Sequence, residues 1–326
     1  MTAVALAALG CAAASTGMAT LWRRYLRAGD QVRRFADTTH HRLHDLGTVD
    51  AVRILPLVER HISAPHLRGE VGVSYLVETT TGGSTTRILF DVGLNRRGSR
   101  RPALLHNAEA LGADLSALDA VVVSHLHDDH IGGPSALRRR RPSFAGDAGV
   151  EPVGVPLLAP GVVEHDRLVP DLVTGPRRLA PGVALLPPAP STLFWDGVVV
   201  EQSLVVHVRG LGLVLVSGCG HPGTAVLLDL AARVLDTPVH AVVGGLHLPV
   251  HGYPAIAVLG SPRPPWDLLG EHDVEAALGA LRGARVAVVA LSGHDSSPWT
   301  ERRFTRRLGP GYRPVRVGEE LCMGPS

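Results

Sequence analysis

The chain has 326 residues, 45% hydrophobic and 19% charged, which supplies apolar mass for one large domain or two modest ones and excludes disorder as the main state. Its 32 basic residues are all arginine and nearly cancel 30 acidic ones, leaving a net charge of +2, so no nucleic-acid preference follows. Absence of lysine excludes Schiff-base chemistry, three cysteines without CxxC spacing exclude a disulfide framework, and seventeen histidines are a surplus of the commonest metal ligand.

Residues 2–21 are uncharged and alanine-rich, and Arg23, Arg24 and Arg27 follow at once. Twenty such residues match the thickness of a bilayer, and arginines after the apolar stretch place the remainder in the cytoplasm. Residues 1–22 are therefore expected to form an N-terminal membrane anchor, with a cleaved or lipidated signal, or a soluble or misassigned start, as the alternatives. Residues 23–50 would be a juxtamembrane linker, and 51–326 a catalytic domain. Short apolar runs predict strands over 52–57, 71–77, 87–90, 120–123, 197–206, 212–217, 241–243 and 285–290. Helical spacing predicts helices over 101–111, 135–140, 223–235, 272–281 and 299–308. Interleaved strands and helices imply two sheets, or one large sheet, covered by helices. Residues 141–191 are rich in Pro and Gly without periodicity, and are expected to be an insertion beside the site.

The strongest local signal follows the apolar run 120–123: Ser124-His125-Leu126-His127-Asp128-Asp129-His130-Ile131-Gly132-Gly133. His125 and His127 share a side while the chain is extended, and Asp129 and His130 approach from the other side once it turns. Such a cluster at the end of a buried strand suits two divalent ions, with zinc favoured by nitrogen and oxygen ligands.

This run resembles the His-x-His-x-Asp-His motif of the metallo-β-lactamase superfamily. Glu70-Val71-Gly72-Val73-Ser74, Phe90-Asp91-Val92-Gly93, Asn107, Gly218-Cys219-Gly220-His221, Gly244-Gly245-Leu246-His247 and Gly293-His294 follow in the order of its dihydropterin-ribofuranosylaminobenzene-phosphate synthase-like branch. The resemblance implies an αββα sandwich, an α/β (α+β) fold of two mixed β-sheets flanked by helices, with a dinuclear metal site at the sheet edges. By the same resemblance His125, His127 and His221 hold the first metal, Asp129 and His130 the second, and His294 is the last ligand. Asp91 would accept the second ring N–H of a ligand and fix its tautomer. The place of a bridging aspartate is occupied by Cys219, which is read as a small buried residue in preference to a thiolate ligand. His247 is expected in the pocket or on the second metal and, with Asp129, among the catalytic residues.

The implied function is dinuclear metal-dependent hydrolysis of a phosphoester, ester or lactone-like bond in a small-molecule substrate by a metal-activated water. The alternative from the branch name is a synthase or transferase acting on a phosphorylated pterin or ribosyl substrate. An iron oxidoreductase is disfavoured because His127 stands where iron sites carry a carboxylate, and a non-catalytic binding role would need ligands without turnover. A phosphorylated substrate would meet only arginine as a cationic side chain. Arg96, Arg97, Arg100 and Arg101 are read as a solvated loop, and Arg138–Arg141 as a surface cluster.

Overall fold

The computed structural model describes residues 3–146 and 149–324, with side chains in the N-terminal helix placed from Gly17 onward. One sheet contains, in spatial order, β16 (Leu321–Met323), β1 (Ala51–Val58), β2 (Ser74–Thr81), β3 (Ser84–Phe90), β4 (Ala120–Val122), β5 (Pro156–Ala159) and β6 (Val169–Leu172). The other contains β15 (Tyr312–Pro314), β14 (Val288–Leu291), β13 (Val239–Gly244), β12 (Gly212–Ser217), β11 (Leu204–Val208), β8 (Val183–Leu185) and β7 (Arg177–Ala180). A separate hairpin is formed by β9 (Ala189–Leu193) and β10 (Gly197–Glu201). Both large sheets mix parallel and antiparallel pairs.

Three apolar layers explain the sandwich. Between the sheets, Ile54, Tyr75, Phe90 and Val122 meet Leu204, Val206, Val214 and Val243. The outer face of the first sheet presents Leu55, Leu76 and Leu89 to Leu104 and Ala108 of α2 (Ala103–Ala110). The second sheet presents Leu213 and Leu215 to Leu227 and Ala231 of α5 (Thr224–Val234), Leu278 of α7 (Glu271–Gly283) and Phe304 of α8 (Pro298–Leu308). Inner strands are thus buried on both faces, which is why their sequences are continuously apolar.

The fold agrees with the expected αββα arrangement of helices on two sheets, and four stretches differ from expectation. The predicted strand 197–206 is two strands in different sheets. Gln202 divides it: its backbone N–H donates to Ser124 O (2.8 Å), and its side-chain amide to Val123 O (2.8 Å) and Leu158 O (3.1 Å), pinning the chain across to the first sheet. The predicted insertion 141–191 contains β5 to β8, strands of three or four residues, and the start of β9. Strands that short carry no periodicity and acquire their register from distant partners.

At the N-terminus a single helix, α1 (Ala3–Ala36), runs through the expected boundary at residue 22. Ala28 on α1 and Leu46 beyond it are buried, and Val49 bridges to Val208, so 23–50 is part of the folded body and not a free linker. Among the described residues no helix is long and apolar enough to cross a membrane, so the expected anchor has no support there. Side chains 2–16 of that expectation lie outside the described residues.

Candidate metal centre

Strands β3 and β4 are parallel, as are β12, β13 and β14, so each set delivers its C-terminal residues to one edge. Such edges are where α/β sheets place ligands. From the first sheet come Asp91 after β3 and His125 to His130 after β4, with α3 (Asp128–Ile131) carrying Asp129 and His130. From the second come Cys219 and His221 after β12, His247 after β13, and Ser292 to Asp295 after β14. The two groups meet. His125 Nε2 lies 3.0 Å from His127 Nδ1, which is 3.3 Å from His221 Nε2. His130 Nε2 lies 3.1 Å from Cys219 Sγ and 3.7 Å from Asp129 Oδ1, and Cys219 Sγ lies 3.3 Å from His294 Nε2.

The rear nitrogens of three histidines are occupied by buried partners. The Ser124 hydroxyl donates to Asp91 Oδ2 (2.7 Å) and accepts from His125 Nδ1 (2.9 Å), while His130 Nδ1 donates to the same carboxylate oxygen (2.7 Å). A second relay serves the other sheet: the Ser292 hydroxyl donates to Glu59 Oε2 and accepts from His294 Nδ1 (2.6 Å). A hydroxyl has one proton, so a carboxylate that takes it leaves the serine oxygen as acceptor. This puts the imidazole proton on Nδ1 and the Nε2 lone pair toward the cluster.

Backbone geometry holds these residues in place. Asp91 (φ 61°) and His247 (φ 51°) occupy the left-handed region, a costly conformation that persists where surroundings over-determine it. Asp91 N donates to Val122 O and its Oδ1 accepts from Ser124 N (2.6 Å). His247 N donates to Asp295 Oδ2 (2.9 Å). Glu201 shapes the Gly218–His221 loop, accepting from the N–H groups of Gly218 (3.1 Å), Gly220 (2.8 Å) and His221 (2.8 Å). Only glycine fits at position 218, where a Cβ would collide with the Ser124 hydroxyl.

The donor set fits a metal. Burial, reinforced by neighbouring imidazolium charge, holds His125 and His221 well below the ordinary histidine value. Burial likewise brings His294 down to about 3 and His247 to about 4. These rings are therefore neutral, the form that ligates. At His130 burial also disfavours charge, but Asp129 and Asp91 outweigh it and lift the value to about 9. A field that favours a proton there favours any cation. His247 Nε2 donates to Gly260 O (2.7 Å), which leaves Nδ1 as an acceptor; it is buried and unpaired, as is His221 Nδ1. Among the described residues, donor atoms lie within 4.8 Å of one another in three groupings: Asp129, His130, Cys219 and His294; His125, Cys219 and His221; Cys219, His247 and Asp295.

The metallo-β-lactamase superfamily model matches residues 67–235, just over half of the chain. The chain belongs to this superfamily. Among its relatives is the 7,8-dihydropterin-6-methyl-4-(β-D-ribofuranosyl)-aminobenzene-5′-phosphate synthase of Methanocaldococcus jannaschii, 26% identical over 63% of this chain and 81% of the relative. Solved superfamily structures share the fold. Tm1679, a metal-dependent hydrolase of the β-lactamase superfamily, aligns with TM-score 0.60 and 21% identity over 84% of this chain and 100% of its own. YhfI from Bacillus subtilis, a metallo-β-lactamase fold protein, aligns with TM-score 0.50 and 13% identity over the same shares.

All eight residues singled out from the sequence, Asp91, His125, His127, Asp129, His130, His221, His247 and His294, gather at this centre. Cys219, read as a small buried residue, is buried and also shared by all three donor groupings. Glu59, Ser124, Glu201, Ser292 and Asp295 were not legible. The one signal for Glu201 is a lone acid closing the apolar run 197–200. Arg96, Arg97, Arg100 and Arg138 to Arg140 are exposed, as expected of surface clusters.

Proposed function

We propose that the chain is a metal-dependent hydrolase with two divalent ions, zinc by donor chemistry, acting on a phosphoester, ester or lactone-like bond. His125, His127 and His221 would hold one ion, and Asp129, His130 and His294 the other, with Cys219 within reach of donors of both sets. When bound, the ions supply Lewis acidity and a water acidic enough to ionise near neutral pH. The protein's own residues prepare the site. Asp91 with Ser124, and Glu59 with Ser292, keep protons off the ring nitrogens that face the centre. His247, fixed as a proton acceptor at Nδ1 by its bond to Gly260 O, is placed to take a proton during attack. Burial of His125, His130 and His294 strengthens the electrostatic contacts they make, while His127, Asp129 and His221 are partly exposed, toward the approach.

The observation that carries this reading is the convergence of ligating nitrogens from both sheets with their rear nitrogens already engaged. A surface cluster of histidines would need no such second layer. A second reading, a synthase or transferase on a phosphorylated pterin or ribosyl substrate, draws on the archaeal relative's name and uses the same donors. Metal analysis of purified protein, beside assays on a phosphodiester, phosphomonoester, lactone and lactam panel, tests both. Two metals per chain, lost in stages by His125→Ala and Asp129→Ala, with turnover of one panel class, is the expected result. One metal or none, with His221→Ala harmless, overturns the site; two metals without hydrolysis of any class favours the second reading.

A further inference from the structure

The helix α1 precedes the stretch matched by the superfamily model, yet it walls the approach to the site. Its aromatic residues seat it: Tyr25 lies 5.3 Å from the ring of Phe194 at the end of the β9–β10 hairpin, and Trp22 stacks on Trp266 at 6.2 Å. Between α1 and the hairpin runs a cleft of about 840 Å³ lined by Arg23, Arg24, Arg27, Arg34, Asp30 and Asp196. It adjoins a second cleft of about 420 Å³, in which Arg24 and Asp196 recur beside Arg140 and the site residue His127.

The charge in these clefts is unbalanced. Arg23, Arg27 and Arg34 fall at helical spacings of four and seven and so share one face. Asp30 is engaged by Arg33, which leaves Asp196, among the described lining residues, as the one carboxylate against four arginines. The Arg24 guanidinium donates to the backbone oxygen of Asp196, a contact that holds it in the passage between the clefts without neutralising it. Like charges gathered in a concavity repel one another, and a bound anion relieves this. Arginine is the side chain that pairs bidentately with phosphate.

We propose that α1 supplies an anion subsite, in which Arg24, with Arg23 and Arg27, binds a phosphate group of a small-molecule substrate whose reacting bond lies beside His127. The subsite rests on the reading of the histidine cluster as a hydrolytic centre, but its anion binding is measured separately. The concave setting distinguishes it from a basic face that lies flat on a membrane.

Calorimetric binding of ribose 5-phosphate, against ribose as the neutral control, tests it on the metal-loaded full chain. Wild type is expected to bind the phosphate ester and not ribose. Arg24→Gln and the double variant Arg23→Gln/Arg27→Gln should each weaken binding by about tenfold or more, the scale of a lost charge-assisted pair, with metal content unchanged. Arg24→Lys should fall between, and Arg306→Gln on α8 should match wild type. His125→Ala, which disturbs the metal centre, should keep binding within about threefold. No binding to wild type, equal binding in the arginine variants, or binding lost in His125→Ala and kept in those variants overturns the subsite, the last placing phosphate on the metals. Binding to phosphatidylserine vesicles that the arginine variants abolish, without ribose 5-phosphate binding, overturns it in favour of a lipid surface. If the arginine dependence holds while the protein carries no metal, only the hydrolase reading fails.

Discussion

Replacing Ser124 by alanine isolates the relay behind His125. The hydroxyl donates to Asp91 Oδ2 and accepts from His125 Nδ1, and all three groups are fully buried. Asp91 keeps two partners, Ser124 N at 2.6 Å and His130 Nδ1 at 2.7 Å, so its loss lies at the lower end for a bond to a charged group, about 1–2 kcal/mol. Removing one oxygen opens little volume, and packing adds almost nothing. The larger effect is on His125: with no acceptor behind Nδ1, its proton is free to sit on Nε2, where it blocks ligation. Loss of such an outer partner weakens metal binding by about 10- to 100-fold, or roughly 1.4–2.7 kcal/mol. Competition with a chromophoric chelator, alongside urea denaturation of the metal-free protein, measures the two effects separately. Ser292→Ala should behave alike through His294. Zinc affinity within about twofold of wild type in both variants would refute the reasoning, because the serines would then orient nothing.

Glu201→Ala should strand the N–H groups of Gly218, Gly220 and His221, destabilising the fold by about 3 kcal/mol or more, whereas Glu201→Gln keeps an acceptor and should lose less; denaturant midpoints and metal stoichiometry check the order. His61 and Glu301 form a half-buried pair at 2.7 Å, and this hydrogen bond, working against burial, raises the histidine above its ordinary value. A raised histidine gives stability that is full below the unfolded value of about 6.5 and lost as pH rises through the folded value. Glu301→Gln should therefore cost about 0.5–1 kcal/mol near pH 6 and less at pH 9, by urea titration at each pH; an equal cost at both values would sink the assignment.

The donors were legible where chemistry is dense in sequence. His125 to His130 are neighbours along the chain, and His221, His247 and His294 each follow a strand whose apolar run announces it. The supports were not legible, because their meaning lies in distant pairings. Glu59 looks like any acid beside an arginine until the fold brings Ser292, 233 positions away, against it. The N-terminal helix runs past the expected boundary at residue 22 for a related reason. Charge marks where an apolar segment ends, but a helix ends only where its hydrogen bonds do, and nothing between Leu21 and Ala36 breaks them. The division of 197–206 between two sheets likewise depends on where the Gln202 amide finds acceptors.

Because the centre is assembled from both sheets, its dimensions are set by the apolar layer that spaces them, in which Phe90 immediately precedes Asp91. A substitution in that layer is a substitution in the site, however far it lies from any donor. Substitutions in the parts laid over the sandwich, the N-terminal helix and the β9–β10 hairpin short of Glu201, leave those dimensions alone. For anyone seeking a new specificity by randomised libraries, that surface is the productive ground, and the seam between the sheets is the place to leave untouched.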